Sequence, residues 1–363
     1  MNVQELLLLL QEIQSKGSDG YPSGIFPSQR FQPKFGFVRE DDNVFFTASI
    51  VQILQQLEKY LEPNEKTIAN QICQSALRAY PLYKNKDGRD TYNFWRTRPS
   101  GHFPNGIWMH RYDHFRIPDD IDDTALIFLT ENASKERVGL LRETLKNHAN
   151  LTYTKVQNTP LSYHNLKSYS TFLGEKMYVE FDICALSNLM RLILTHFPDE
   201  LNEYDMDTLQ FICDVMDNDE YESIPCQISP QYITTPIILF HISRLLPLLP
   251  PTHGHIHTKV ISKLISWWKK LPLGMEKLLL ENELLKLNVV SPSQETCGQD
   301  VWKNRHFYFF IAGILTALNG KVFRTVSKSS WTQLRFRSEA FNLTLVLENA
   351  VLRRSQSNGE LSA

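Results

Sequence analysis

Pro118-Asp119-Asp120-Ile121-Asp122-Asp123-Thr124-Ala125-Leu126-Ile127-Phe128-Leu129 is the stretch from which the chain is read. Four carboxylates fall within five residues, and an apolar run follows at once. Like charges at this spacing repel, so a fold either leaves them in water or holds them for a purpose. The simpler reading is a solvated helix start after Pro118, with one aspartate as cap. The apolar continuation favours the other, because residues 125–129 call for burial. On a helix Asp119, Asp122 and Asp123 share a side, with Asp120 about a turn before Asp123. Carboxylates crowded beside a core push at least one pKa upward, and a carboxyl that keeps its proton is a general acid.

Working outward, apolar residues recur at helical spacing over 44–60, 65–80, 135–149, 181–197, 206–216, 232–248, 259–270 and 305–319. Pro63 stands just ahead of the second segment and Gly320 just after the last, as a first-turn proline and a C-terminal cap would. Residues 21–43 read as a turn-rich loop, and 342–347 fit a strand or a helix equally. Acidic helix starts recur: Asp41-Asp42-Asn43-Val44-Phe45-Phe46 and Glu180-Phe181-Asp182-Ile183-Cys184-Ala185 echo Asp122-Asp123-Thr124-Ala125-Leu126-Ile127. Capping and the helix dipole favour carboxylates at such places in any protein. The recurrence also fits an all-α fold, a single α/α toroid of helical hairpins with inner helices presenting carboxylates at one mouth. No Gly/Ser-rich or Pro-rich linker divides the chain, so 1–355 reads as one domain and 356–363 as a flexible tail.

A net charge of -2, from 38 basic and 40 acidic residues, leaves no electrostatic footprint for nucleic acid. The leucine run 6–10 lies between Glu5 and Gln11 without a basic flank, which predicts an amphipathic helix rather than a signal peptide. No stretch reaches transmembrane length. The five cysteines are scattered and odd in number with no CxxC, which fits a reducing cytoplasm better than a disulfide framework.

Asp120-Ile121-Asp122-Asp123-Thr124-Ala125 resembles the DxDD-T-A motif of class II terpene cyclases, whose β-type domain is an α/α toroid. The resemblance covers about six residues plus the expected fold. It implies an isomerase-type activity, the proton-initiated cyclisation of a linear, hydrophobic isoprenoid. Asp122 would then be the proton donor, supported by Asp120 and Asp123. A carbocation needs aromatic faces around it. The resemblance therefore assigns substrate contacts to Phe45, Trp95, Trp108, His110, Tyr112, Tyr178, Phe181, Trp302 and Phe307. The chain departs from the family in two ways: Gln299-Asp300-Val301-Trp302 is only a fragment of the triterpene cyclases' glutamine-tryptophan repeat, and one helical domain stands where class II cyclases pair two. Asp119, Asp120 and Asp123 also spell the DDxxD of class I isoprenoid synthases. The second metal motif of that family is missing, since Asn218-Asp219-Glu220 lacks the right continuation.

Mg2+ is implied only if the substrate carries a diphosphate. Asp41, Asp42 and Arg39, with Arg30, are the residues placed to hold such a group at the first acidic start. Arg30 and Arg39 are equally suited to pairing with Glu40 and Asp42. No direct metal ligand set is expected: His253-Gly254-His255-Ile256-His257 lacks a completing carboxylate or cysteine, and residues 214–220 lack the pattern of a calcium loop. The histidines of 100–114, His110 and His114 above all, are placed to bias which aspartate holds the proton. Two rival readings are a toroid glycoside hydrolase or lyase, pairing Asp122 with Asp42 or Asp182, and a non-enzymatic helical binding protein. Association with a membrane surface or a partner protein is compatible with all three, and the oligomeric state is left open.

Overall fold

A computed structural model of the chain describes residues 1–18, 20–101, 117–174, 178–289, 300–313 and 329–358. Its helices are α1 (Val3–Ile13), α2 (Val44–Leu57), α3 (Pro63–Leu77), α4 (Ile121–Thr130), α5 (Lys135–Lys146), α6 (Ile183–His196) and α7 (Glu203–Asp217). After the short α8 (Glu220–Ser223) and α9 (Pro225–Ile228) come α10 (Thr235–Ser243), α11 (Gly254–Lys270), α12 (Met275–Lys286) and α13 (Glu339–Ser357). The strands are β1 (Ser28–Gln32), β2 (Phe37–Asp41), β3 (Asp119–Asp120), β4 (Phe172–Leu173), β5 (Phe310–Gly313) and β6 (Gln333–Arg337).

Side-chain caps set many of the helix starts. Asn43 Oδ1 accepts from Phe46 N (3.3 Å), Asp120 Oδ1 from Asp123 N (2.9 Å) and Asp182 Oδ1 from Cys184 N (2.9 Å). Each relieves a donor that the first helical turn leaves unpaired. Burial then sorts the helices. Along α2, α4, α6 and α10 nearly every side chain is buried. In α11 only the stripe Ile256, Val260, Leu264 and Trp268 is. A helix buried all round must have neighbours on every side, whereas a single stripe marks an outer helix.

The contacts agree. α2 touches α4, α4 touches α6, α6 touches α10, α10 touches α12, α12 touches α13, and α13 returns to α2, so six helices close a ring. Against its outside lie α1 on α13, α3 on α2, α5 and α7 on α6, and α11 on α10 and α12. Gly24 lets the entry loop reach α3. Its φ is +92°, and a Cβ there would sit 2.1 Å from the Ser75 carbonyl oxygen.

The expectation of an all-α toroid is overturned, because the chain carries a four-stranded antiparallel sheet, in the order β2-β1-β6-β5, and the small β3–β4 pair. Residues 21–43 are not simply a loop, since β1 and β2 form a hairpin in which Arg30 faces Arg39. Residues 305–319 are not one helix either: Phe310–Gly313 is a strand, and Gly320 lies outside the described residues. A short apolar run has no periodicity that separates strand from helix, and pairing with β6 decides it here. Residues 342–347 belong to α13.

The sheet covers one end of the ring. β2 feeds α2 and β6 feeds α13, while Ile311 N donates to Gln231 O (2.8 Å) in the segment leading to α10. Phe310 stacks on Phe336 with ring centroids 4.8 Å apart, and Phe94 meets both rings edge-on. Among the described residues no helix is long and apolar enough to cross a membrane.

Candidate functional site: buried carboxyls at the covered end of the ring

Backbone hydrogen bonds draw the three acidic helix starts to the covered end. Val44 N donates to Phe94 O (3.1 Å) and Asp120 N to Tyr92 O (3.3 Å), which joins the starts of α2 and α4. Ile121 N donates to Thr171 O (3.0 Å) and Thr171 N to Glu180 O (2.9 Å), which joins α4 to α6. Asp119, Asp122, Asp123, Glu180 and Asp182 are buried, and Asp120 is partly so. The sequence echo among these starts thus corresponds to one place in the fold.

The carboxyls are held differently. Asp119 Oδ2 accepts from Asn85 Nδ2 (2.5 Å) and Thr91 Oγ1 (2.7 Å), which ties the preceding loop to β3. Asp122 accepts from Asn188 Nδ2 (2.7 Å) and from the Tyr232 hydroxyl. Burial raises its pKa, and these two donors together with the Arg191 charge counter the rise. Asp182 receives Cys184 N (2.9 Å), Ser229 Oγ (2.8 Å) and Gln231 N (2.9 Å), yet burial still lifts it to about 7.

Asp120 and Asp123 form a pair. Burial and then the Asp122 charge raise Asp120 to about 7, while its bonds to Asp123 counter the rise. Burial, the Asp120 and Asp122 charges and the hydrogen bond to Asp120 all push Asp123 well up. The two carboxyls therefore titrate together as a pair, both held up by burial and by neighbouring carboxylate charge. Asp123 Oδ1 is buried without a hydrogen-bond partner among the described residues.

Aromatic rings stand beside the Asp122 network. Tyr232 lies 6.0 Å from Phe45, 6.0 Å from Phe309, 5.9 Å from Phe310 and 4.7 Å from the His241 ring, centroid to centroid. Of the expected substrate contacts, only Phe45 is seen in this cluster. Trp95 gives its Nε1–H to both Asp41 oxygens (3.1 Å each). Phe181 packs against Phe211 of the outer helix α7 (5.2 Å). Trp302 and Phe307 are buried, with the Trp302 carbonyl taking Asn342 Nδ2 (3.1 Å), and Tyr178 is exposed near Phe172. Trp108, His110, Tyr112 and His114 lie outside the described residues.

The expected anion-binding group is occupied otherwise. Arg30 ion-pairs with Asp41 (3.6 Å) and Arg96 with Asp42 (2.6 Å), while Arg39 is exposed on β2 over Phe37. His255 meets Asp217 on the outer surface (3.2 Å). Among the described residues no group of His, Cys, Asp and Glu is arranged to hold a metal ion. The cysteines described, Cys73, Cys184, Cys213 and Cys226, are buried.

Sequence reading missed Asn188, Arg191, Tyr232, His241 and Phe310. A signal was present for three of them. Asn188 and Arg191 in α6, and His241 in α10, interrupt helices that are otherwise almost wholly apolar. A polar residue on such a helix faces the interior and needs a partner there. No family model matches the chain, and neither a curated protein nor a solved structure matches it.

Proposed function

We propose that the chain is an enzyme that starts its reaction by delivering a proton from the Asp120–Asp123 pair to an apolar substrate. Proton-initiated cyclisation of a linear isoprenoid is the reaction this reading favours. The observation that carries it is the pair itself, two hydrogen-bonded carboxyls sharing a site at a helix start with one Asp123 oxygen buried and unbonded among the described residues. A carboxyl kept neutral in a dry setting is the donor an alkene needs, and the rings of Tyr232, Phe45, Phe309 and Phe310, gathered beside the adjoining Asp122, suit a cation. In this reading Asp123 is the acid and Asp120 its conjugate partner. Asp122, held by Asn188 and Tyr232, is the neighbour whose carboxylate raises the pKa of both members of the pair.

The carbohydrate alternative asks for a second free carboxylate beside Asp122. Asp182 is committed to three donors and Asp42 to Arg96, so neither is offered as a base. The test is incubation of the purified chain with linear isoprenoids of several lengths, with and without a diphosphate and Mg2+. A cyclised product is expected from the parent chain. Asp123→Asn should lower its rate by about 10²-fold or more, with a far smaller loss in Asp119→Asn. Turnover unaffected by Asp123→Asn in a folded protein would remove the acid from this position.

A further inference from the structure

A polar column runs along the inside of the ring, away from the carboxyl end. Gln52 of α2, Asn188 and Arg191 of α6, and His241 with Arg244, the C-terminal cap of α10, form it, and Gln56, exposed on the last turn of α2, lies at its outer end. Its bonds cross the interior. Arg191 Nη1 donates to Gln52 Oε1 and to Asn188 Oδ1 (3.2 Å each), and Arg244 Nη2 donates to Gln56 Oε1 (3.2 Å). α2 is separated from α6 by α4, and α10 stands further round the ring. Gln52, Asn188, Arg191 and His241 therefore meet in the interior rather than between adjacent helices, and the Arg244–Gln56 contact stands where the column reaches the surface.

The charges in this column are unbalanced at contact range. Arg191 and Arg244 are 5% and 9% exposed, and neither has a carboxylate within ion-pair distance among the described residues. Their acceptors are amide oxygens, which are neutral. The nearest anions already hold other donors: Asp122 takes Tyr232 and the column's own Asn188, and Glu283 takes Ser243 Oγ (3.1 Å) and Lys286 (2.7 Å). Burial and then the Arg244 charge hold the Arg191 pKa well below its usual range, as expected of two cations kept together out of water.

Unused donors point the same way. Asn188 Nδ2 lies 3.3 Å from His241 Nδ1, so Nδ1 accepts and the proton of the neutral ring sits on Nε2. That Nε2 and the Nε of Arg244 are both buried without a partner among the described residues. A buried donor left unmade costs free energy in the empty protein and returns it when an acceptor arrives.

We propose that Arg191, Arg244 and His241 form a binding site for a phosphate or diphosphate group inside the ring. Guanidinium forks bind such oxyanions through paired, charge-assisted hydrogen bonds, and the His241 Nε2–H supplies a neutral third donor. The site stands on the column alone and goes beyond the acid's role. Binding is measured without turnover, so it can fail or succeed separately from the acid.

The experiment is calorimetric titration of the full chain with inorganic pyrophosphate and with phosphate, repeated on Arg244→Gln and Arg244→Lys. The lysine variant keeps the charge and removes the fork, and it covers the case in which the glutamine variant does not fold. Pyrophosphate should bind the parent chain, and each folded variant should bind at least about tenfold more weakly. Phosphate binding weakened in the same variants would support the same site with a smaller anion. Absence of binding by either anion to the parent chain, or equal affinity in the variants, would overturn the proposal.

Discussion

At the scale of single residues, the covered end of the ring is a problem of proton accounting. Glu180 is 2% exposed, and burial with the Asp182 charge raises its pKa to about 8. Asp120 and Asp182 rise to about 7. The folded protein thus binds protons that the unfolded chain, titrating near 4, has released. The resulting stability is fully present at low pH and is lost as pH rises through the folded pKa values. A single such group changes stability by at most about 1.4 kcal/mol per pH unit. Asp120 and Asp182 are about half titrated at pH 7, so of these three groups Glu180 supplies the largest single share of the fall from pH 7 to 8. Urea unfolding of Glu180→Gln should show that fall reduced, and parallel profiles for the two proteins would place the Glu180 titration elsewhere.

At the scale of elements, the helices were legible and the strands were not. Inner helices such as α2 and α6 announce themselves by apolar runs behind acidic or amide caps, and both lie within the expected segments 44–60 and 181–197. β6 alternates Leu334 and Phe336 inward with Arg335 and Arg337 partly exposed, a true strand pattern only five residues long. β2, at the sheet edge, exposes Val38, Arg39 and Glu40 and carries almost no pattern. What makes these segments strands is pairing between residues far apart in the chain, which local periodicity does not contain. The acidic starts were legible as a set for the opposite reason, because each is a local cap. The donors that hold them, Tyr232 and Asn188, arrive from other elements.

Asn43 shows how much one such cap joins. Its Oδ1 takes Phe46 N, and its Nδ2 gives to Ser28 Oγ (2.8 Å) and Asp41 Oδ1 (2.7 Å), so it fastens the hairpin to α2. Asn43→Ala should cost about 1–2 kcal/mol in denaturant unfolding. A change within a few tenths would mean that Asp41 or water takes over the cap.

At the scale of the whole molecule, Phe309 joins the sheet to the ring. It is 2% exposed and meets Phe45, Phe46, Tyr232, Phe240 and Phe341 at centroid distances of 4.8–6.5 Å. Its own backbone N donates to Phe336 O (2.9 Å). Phe309→Ala should lower stability by about 3–5 kcal/mol, read from the denaturant midpoint at unchanged slope. A loss below about 1 kcal/mol would show that the aromatic cluster collapses into the gap rather than depending on this ring.

The pairing of Gln29 with Arg337 has a consequence in time. β1 leaves the ribosome already able to pair with β2, but its other edge has no partner until residues 333–337 emerge. At about 5–20 residues per second, the roughly 300 residues between them take on the order of 15–60 s to make. Through that interval a nascent hairpin carries an open strand edge, the feature most prone to pair with a neighbouring chain. Yield on expression should therefore depend on translation speed and chaperone supply more than the stability of the finished fold would suggest.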